Sequence, residues 1–323
     1  MTPLVSVIVP AYNYARYLPE ALESVRQQTV ANWECVIVDD ASTDDTAAVA
    51  RHWTESDSRF RLIRQDANKG VSAARNRGIA ESGGEMLQFL DADDLLLPEK
   101  IARHARFLDE HRETGVVYSE GGFFHNTPSR LTPSLHGTLS RSIMARVNGD
   151  AWEKLQHYNI MPTPCALVRR DAAARAGGFA EASAGGEDWD FWLRCAAAGV
   201  RFDFCGDDAP LVAIRAHERS ASRDNLRMLH GLVAAAKSWP GAALPLIYEV
   251  ALGVDAVLRG ERRAGSGRIA AAAARASEPL TAKRWRAYAL AARVLPKRAF
   301  LRVVAWPLPE WPLELHRRLR RRT

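Results

Sequence analysis

Apolar and polar positions along the first hundred residues alternate between two periods. Val5-Ser6-Val7-Ile8-Val9 is a short apolar run that stops at Pro10, the pattern of a buried strand. Pro19 then opens a helix with Ala21, Leu22 and Val25 on one face. A second strand is predicted from Trp33 to Val38, closing on Asp39-Asp40, and Ser42 to Asp45 sets hydroxyls and acids in a helix start. A third strand follows from Phe60 to Ile63, then an Ala- and Arg-rich helix from Gly70 to Ala80. Met86 to Leu90 is a fourth strand closing on Asp91, and Pro98 starts a helix through Leu108. This alternation predicts an α/β fold with a mainly parallel sheet covered on both faces. Ligands of such sheets bind beyond the carboxyl ends of the strands. Three of those ends carry polar groups here: Tyr12-Asn13, Asp39-Asp40 and Asp91-Ala92-Asp93-Asp94.

From Gly121 to Asn159 the pattern is irregular, a ribbon or a substrate loop. A strand-like Ala166-Leu167-Val168 follows Pro162 and Pro164. Gly185-Gly186 leads into Glu187-Asp188-Trp189-Asp190-Phe191-Trp192-Leu193, a helix start with acids in its first turn. Beyond Ser222 alanine-rich helical segments run to about Val294 with no further strand evident. A boundary near Arg223 is expected, giving a catalytic domain over 1–222 and a helical region over 223–323 with a basic amphipathic tail. In that tail Trp306, Leu308, Trp311, Leu313 and Leu315 alternate with prolines before Arg317-Arg318-Leu319-Arg320-Arg321-Arg322.

Composition narrows the class. Hydrophobic residues make up 47 % of the chain, enough for a full core. The net charge of +6, from 44 Lys plus Arg against 38 Asp plus Glu, is unevenly placed, with acids early and arginines late. Cys35, Cys165, Cys195 and Cys205 form no CxxC pair, which argues against a zinc or redox motif and fits a reducing compartment. The chain opens on a strand, so no secretory signal is expected. No apolar stretch reaches the ~20 residues of a membrane span.

Asp91-Ala92-Asp93 at a strand end offers the oxygen ligands that Mg²⁺ or Mn²⁺ prefer, and such an ion neutralises a departing diphosphate. A solvated acidic turn is the plain alternative. A calcium loop needs a glycine and further oxygens where Leu95, Leu96 and Leu97 stand. A haloacid-type phosphatase carries its DxD on the first strand. A dinucleotide fold needs glycines in the first turn, which reads Pro10-Ala11-Tyr12-Asn13-Tyr14. A sugar nucleotidyltransferase would need a glycine-rich loop at the same place.

Taken in order, Val5-Ser6-Val7-Ile8-Val9-Pro10-Ala11-Tyr12-Asn13, Val38-Asp39-Asp40-Ala41-Ser42-Thr43-Asp44, Asn68-Lys69-Gly70 with Ala74-Arg75-Asn76, and Phe89-Leu90-Asp91-Ala92-Asp93-Asp94 resemble glycosyltransferase family 2. The resemblance resumes at Gly186-Glu187-Asp188-Trp189 and at Arg215-Ala216-His217-Glu218-Arg219-Ser220, and covers about two-thirds of the chain. It implies a GT-A fold, a nucleotide-diphosphate sugar donor, with a UDP-sugar the first expectation, and inverting transfer to an acceptor hydroxyl. It implies that Pro10, Ala11, Tyr12 and Asn13 border the nucleotide and that Asp40 contacts the base, assisted by Arg75. Asp91 and Asp93 form the metal motif, with Ala92 between them at the donor and Asp93 the closest ligand. Asp188 is implied as the catalytic base, and His217 as a group approaching the metal or diphosphate.

The residues also allow blander readings. Glu187 and Asp188 are acids at a helix start, stabilised by its dipole, worth less than ~1 kcal/mol when exposed. Arg75 is a charge on a helix face, and His217 a structural histidine. Arg215 and Ser220 either touch phosphate or belong to a solvated loop. Inversion needs one carboxylate opposite the leaving group to take the acceptor's proton, which Asp188 supplies. The acceptor is expected to be a saccharide, a lipid-linked group or a protein, in cell-surface polysaccharide or glycoconjugate synthesis. The alternative is a non-catalytic nucleotide-sugar-binding protein, against which the complete set Asp40, Asp91, Asp93, Asp188 and His217 argues. For the tail, peripheral contact with an anionic membrane at the cytoplasmic face is preferred over a merely solvated basic end, and nucleic-acid binding is not expected.

Overall fold

The computed structural model describes residues 3–125, 140–141, 145–181, 185–206, 209–217, 230–231, 233–234 and 245–304. The chain divides into two compact units. Met1–Ala151, Ile160–Glu181 and Arg194–Ser220 form the first, and Trp152–Asn159, Ala182–Leu193 and Ala221–Thr323 the second.

In the first unit β1 (Val5–Ala11), α1 (Leu18–Arg26), β2 (Trp33–Asp39), α2 (Thr46–Ser56), β3 (Phe60–Arg64), α3 (Val71–Glu81) and β4 (Met86–Phe89) follow the predicted alternation. β5 (Leu95–Leu96), α4 (Lys100–Glu110), β6 (Thr114–Tyr118), β7 (Gly121–His125), β8 (Ser140–Arg141) and β9 (Asn148–Gly149) come next. After α5 (Trp152–Leu155) of the second unit come β10 (Ala166–Arg169) and α6 (Arg170–Arg175), then α7 (Glu187–Ala197), whose residues to Leu193 belong to the second unit, then β11 (Arg201–Phe204) and β12 (Val212–Ala216). The main sheet runs β3-β2-β1-β4-β10-β6-β11-β9. β1 to β4 are mutually parallel, and β10 enters antiparallel between β4 and β6. A smaller sheet runs β5-β12-β7-β8.

Parallel strands covered on both faces are nearly continuous apolar runs, and all seven residues of β1 are buried, Ser6 with its hydroxyl bonded to Glu34. α3 lies against β1 so closely that a Cβ at Gly78 would collide with Ile8, so only glycine admits this approach. In-register pairing sets Ala11 beside Asp39, and Asp39 beside Arg64. The polar residues after β1, β2 and β4 are thereby brought to one edge of the sheet. β12 joins β5 and β7, which places the chain after Ala216 beside the turn that precedes β5.

The described elements of the second unit beyond 222 are helices: α8 (Leu246–Leu258), α9 (Arg262–Arg275), α10 (Pro279–Val294) and α11 (Lys297–Val304). α8 and α9 form a tight pair in which a Cβ on Gly265 would strike the Gly253 carbonyl. Glu278 caps α10 by accepting from the Thr281 N–H at 2.8 Å, and Pro279 occupies its first turn. None of the described helices is long and apolar enough to cross a membrane. Trp306, Trp311 and the arginine cluster of the tail lie outside the described residues, as does most of the irregular stretch after His125.

Candidate functional site

The loops after β1 and β2 are stapled together. Asn13 adopts the left-handed conformation at φ 59° and Ala41 at φ 60°. Among the described residues they are the only non-glycine positions with positive φ, a strain that the surrounding bonds must hold. Asn13 Oδ1 accepts from the Thr43 N–H at 2.8 Å, while the Asn13 N–H donates to Ser42 Oγ at 2.9 Å. The Tyr14 N–H donates to Thr46 Oγ1 at 2.9 Å. Pro10 and Ala11 are buried in β1, and the Tyr12 ring stands 41 % exposed at the loop tip.

The two carboxylates that end β2 divide the work. Asp39 accepts from the Ser42 N–H at 3.0 Å, with Arg64 Nε 3.2 Å from its other oxygen. Asp40 Oδ1 accepts from the Lys69 N–H at 2.8 Å and from Gln65 Nε2 at 2.7 Å. Its Oδ2 accepts from the Gly70 N–H at 2.7 Å. Asp40 therefore clamps the loop that opens α3. Three of a carboxylate's four acceptor positions are taken by these bonds, which leaves one for a ligand N–H.

The acidic turn after β4 is built from three directions. Arg75, buried on α3, donates from Nη2 to Asp91 Oδ1 at 2.7 Å, and its guanidinium carbon lies 5.1 Å from the Phe179 ring centroid. Asn76 fixes that ring's backbone: Nδ2 donates to the Phe179 carbonyl and Oδ1 accepts from the Phe179 N–H, both at 2.8 Å. From β12, the Arg215 N–H donates to Asp94 Oδ1 at 2.8 Å. The buried Arg215 guanidinium reaches the Asp93 carbonyl at 2.9 Å and Glu20 at 2.7 Å. Arg215 is thus an internal brace between strand, turn and α1 rather than part of a solvated loop. One residue on, His217 Nε2 stands 2.7 Å from Asp93 Oδ2, and its ring stacks on Tyr17 at 5.0 Å between centroids. Glu218, Arg219 and Ser220 lie outside the described residues. Asp94, Glu20, Tyr14, Tyr17 and Asn76 were not singled out as site residues in the sequence, although Asp94 and Asn76 stand inside its motifs.

The electrostatics of this turn bear on whether a cation fits. Burial, and then the charge of Asp91, push the Asp93 carboxyl above the usual carboxylate range, against the lowering pull of His217. Burial and the neighbouring Asp93 and Asp91 push Asp94 well up. Burial and the same carboxylates raise the Tyr14 hydroxyl. Carboxylates crowded until their ionisation is resisted are the setting a cation relieves. Neighbouring ligands ~2.1 Å from an octahedral ion stand about 3 Å apart, so the Asp93–His217 pair needs only a small opening. No group of three or more His, Cys, Asp or Glu among the described residues is arranged to hold a metal by itself. Mg²⁺-like ions characteristically keep positions for phosphate and water, so Asp93 with His217 fits an ion shared with a diphosphate.

Asp188 belongs to the second unit and is described there. It opens α7, with Oδ2 accepting from Asn159 Nδ2 at 2.8 Å and Oδ1 from the Trp189 N–H at 2.7 Å. The turn around it is fixed by Trp189 Nε1, which donates to the Leu155 carbonyl at 2.7 Å, and by Asp190, which accepts from the Tyr248 hydroxyl at 2.6 Å.

A parallel sheet of order β3-β2-β1-β4, extended by the antiparallel β10 and ending in an Asp-Ala-Asp turn braced from a second small sheet, is the GT-A architecture of nucleotide-diphospho-sugar transferases. Comparison with known proteins carries this to a family. The chain belongs to glycosyl transferase family 2, whose model matches residues 6–177, more than half of the chain. A putative teichuronic acid biosynthesis glycosyltransferase of Bacillus subtilis, TuaG, is 36 % identical over 172 residues, covering 49 % of this chain and 67 % of TuaG. Two other curated relatives are longer, and the chain spans 20 % and 48 % of their lengths. The structure of S. aureus TarS 1–349 in complex with UDP-GlcNAc matches over 94 % of this chain and 90 % of TarS, with TM-score 0.64 and 19 % identity. The mannosyltransferase PcManGT of Pyrobaculum calidifontis, in complex with GDP-Man and Mn²⁺, matches over 94 % and 86 %, with TM-score 0.57 and 25 % identity.

Proposed function

We propose that this chain transfers a sugar from a nucleotide-diphosphate sugar to an acceptor hydroxyl, with inversion and with a divalent ion, in the assembly of a surface polysaccharide or glycoconjugate. The transferase region is 1–222 and the helical region 223–323. The observation that carries this reading is the buried turn in which Asp93 and His217 meet at 2.7 Å while Arg75 holds Asp91. Family membership supports the activity. The nucleotide sugars bound by TarS and PcManGT support the donor class, with a UDP-sugar the first candidate.

In this mechanism Pro10, Ala11, Tyr12 and Asn13 border the nucleotide. Asp40 holds the loop before α3 and turns its remaining acceptor position to the base. Arg75 keeps Asp91 in place beside Ala92. Asp93 and His217 would hold a Mg²⁺- or Mn²⁺-type ion, with Asp91 in the same motif, and such an ion would supply positive charge to a departing diphosphate. Asp188, oriented by Asn159 and the Trp189 N–H, takes the proton from the acceptor hydroxyl.

Nucleotide diphosphate release from a panel of nucleotide sugars, with and without Mn²⁺, tests the reading alongside a thermal-shift screen of the same ligands. One donor is expected to raise the melting temperature and to be consumed in the presence of the ion. A panel in which no nucleotide sugar is bound or hydrolysed, with or without Mn²⁺, refutes it.

A further inference from the structure

We infer that the exposed side of α10 and α11 is a docking surface for an anionic lipid bilayer. The evidence is separate from the donor site. α10 buries Ala282, Trp285, Tyr288, Ala289 and Ala292 within its own unit. Its other side leaves Leu280 64 %, Leu290 62 % and Val294 66 % exposed. Among the described residues only Tyr12 is a further exposed large hydrophobic. The exposed apolar side chains are therefore concentrated on one helix. At 3.6 residues per turn the three fall within an arc of about 80°.

Charge says what covers this stripe. From Pro279 to Val304 the sequence has seven Lys and Arg and no Asp or Glu. Two of these cations are spent internally, Arg284 on the Tyr288 hydroxyl at 2.8 Å and Arg293 on Ser266 at 2.9 Å. Lys283 falls inside the apolar arc and Arg286 about 40° beyond it, and Lys297 and Arg298 open α11; all four are exposed. A face kept merely soluble mixes both signs and avoids large apolar groups. A second copy of this face would repel its twin. The residues after 304, with five Arg against two Glu, share its sign and do not complement it. A duplex nucleic acid offers phosphates but nothing for Leu280, Leu290 and Val294. An anionic bilayer meets both demands, taking the apolar stripe below its headgroups and the cations among them. Trp306 and Trp311, next in the sequence, are residues of the same interfacial kind.

The test is co-sedimentation of the full chain with phosphatidylglycerol and with phosphatidylcholine vesicles, at low and at 1 M salt. Binding to the anionic vesicles alone is expected, and it should collapse at 1 M salt, where the screening length falls to about 3 Å. Each cation removed near an anionic surface lowers partition by up to about fivefold. Joint Lys283→Glu, Arg286→Glu, Lys297→Glu and Arg298→Glu should thus lower it by up to roughly several hundredfold. Leu280→Ser, Leu290→Ser and Val294→Ser together should also release the protein. The single changes Lys283→Glu and Leu290→Ser give smaller losses of the same sign and guard against a misfolded multiple variant. Donor hydrolysis by all variants should match the unaltered chain, which separates this inference from the transferase reading. Failure of the intact chain to pellet with anionic vesicles overturns the inference. So does equal pelleting of intact and altered chains, which assigns attachment to the residues after 304. A dimer abolished by the same changes, or retention of a DNA duplex without vesicle binding, gives the face another partner and overturns it as well.

Discussion

Lys100 has no exposed surface, yet its amine sits in the core of the first unit. Its Nζ lies 2.8 Å from Gln88 Oε1 and 2.9 Å from His104 Nδ1. Gln88 in turn donates to the Phe89 and Pro164 carbonyls at 2.8 and 2.9 Å, so the network pins β4 just before the acidic turn. Burial without an adjacent carboxylate lowers the Lys100 amine from 10.5 to about 7. The unfolded chain therefore holds a proton that the native state lacks between about pH 7 and 10.5. Below that window the full cost of a buried charge is present, on the order of 5 kcal/mol at about 1.4 kcal/mol per unit. Stability gains as pH rises through the window. Integrated from pH 7 to 10, the gain is about 3 kcal/mol. Lys100→Met removes the titration and leaves Gln88 Oε1 short of a donor, a loss of about 1–3 kcal/mol at every pH. Urea unfolding of both proteins from pH 7 to 10 isolates the effect, read on the transition that the substitution shifts. Burial raises the Cys35 thiol and slopes the curve the other way, but that contribution is common to both proteins and cancels. His104 is pushed well down, first by burial and then by Lys100, so it stays neutral throughout the window. Stability of the native chain relative to the variant should rise by about 3 kcal/mol from pH 7 to 10. A difference that stays flat within about 1 kcal/mol refutes the reasoning.

Asp93→Ala should abolish Mn²⁺-dependent nucleotide diphosphate binding, measured by calorimetry; undiminished binding of donor and ion removes Asp93 from the metal site. Asp188→Asn should lower transfer by about 10²–10⁴-fold with donor affinity kept, and near-normal transfer would exclude it as the base. Asn76→Ala breaks both bonds to the Phe179 backbone and should cost about 1–3 kcal/mol of stability, with a raised donor KM as the Arg75–Asp91 pair loosens. An unchanged KM alongside the lost stability would confine Asn76 to a structural role.

The first four strands and their helices were legible because short apolar runs closing on polar residues alternate there with helical patterns. Of what followed, the strand at 166–168, the helix start at Glu187 and the later helices were read, but the remaining strands were not. β11 is Arg201-Phe202-Asp203-Phe204, four residues of alternation too short to separate from a turn. β5 has two residues and exists only because β12 pairs with it. β12 is an apolar run whose partner, β7, lies some ninety residues earlier, a pairing to which no local pattern points. Segments 152–159 and 182–193 group with the later helices. Such grouping depends on contacts distant in sequence, whereas a single boundary near Arg223 is the most that a change of composition can express.

The site divides along the same line. Residue types at strand ends were readable, since a buried parallel strand that ends in acids has few uses. Their partners were not, because each partner is fixed by topology rather than by spacing. Asp39 and Asp40 are adjacent and chemically identical, yet one serves its own turn and Arg64 while the other clamps residues 65 to 70. Asp39 is the last residue of β2 and Asp40 the first beyond it, and the loop partners each meets there assign the two roles. Arg215 shows the reverse case. Next to a candidate ligand it reads as a phosphate contact, but antiparallel pairing of β12 with β5 delivers its N–H to Asp94 and its guanidinium to Glu20. It thereby sets the position from which His217 meets Asp93. An arginine beside an acidic turn is thus weak evidence for phosphate binding until its backbone partner is known: a buried guanidinium with carbonyl and carboxylate partners of its own is already committed to holding the turn.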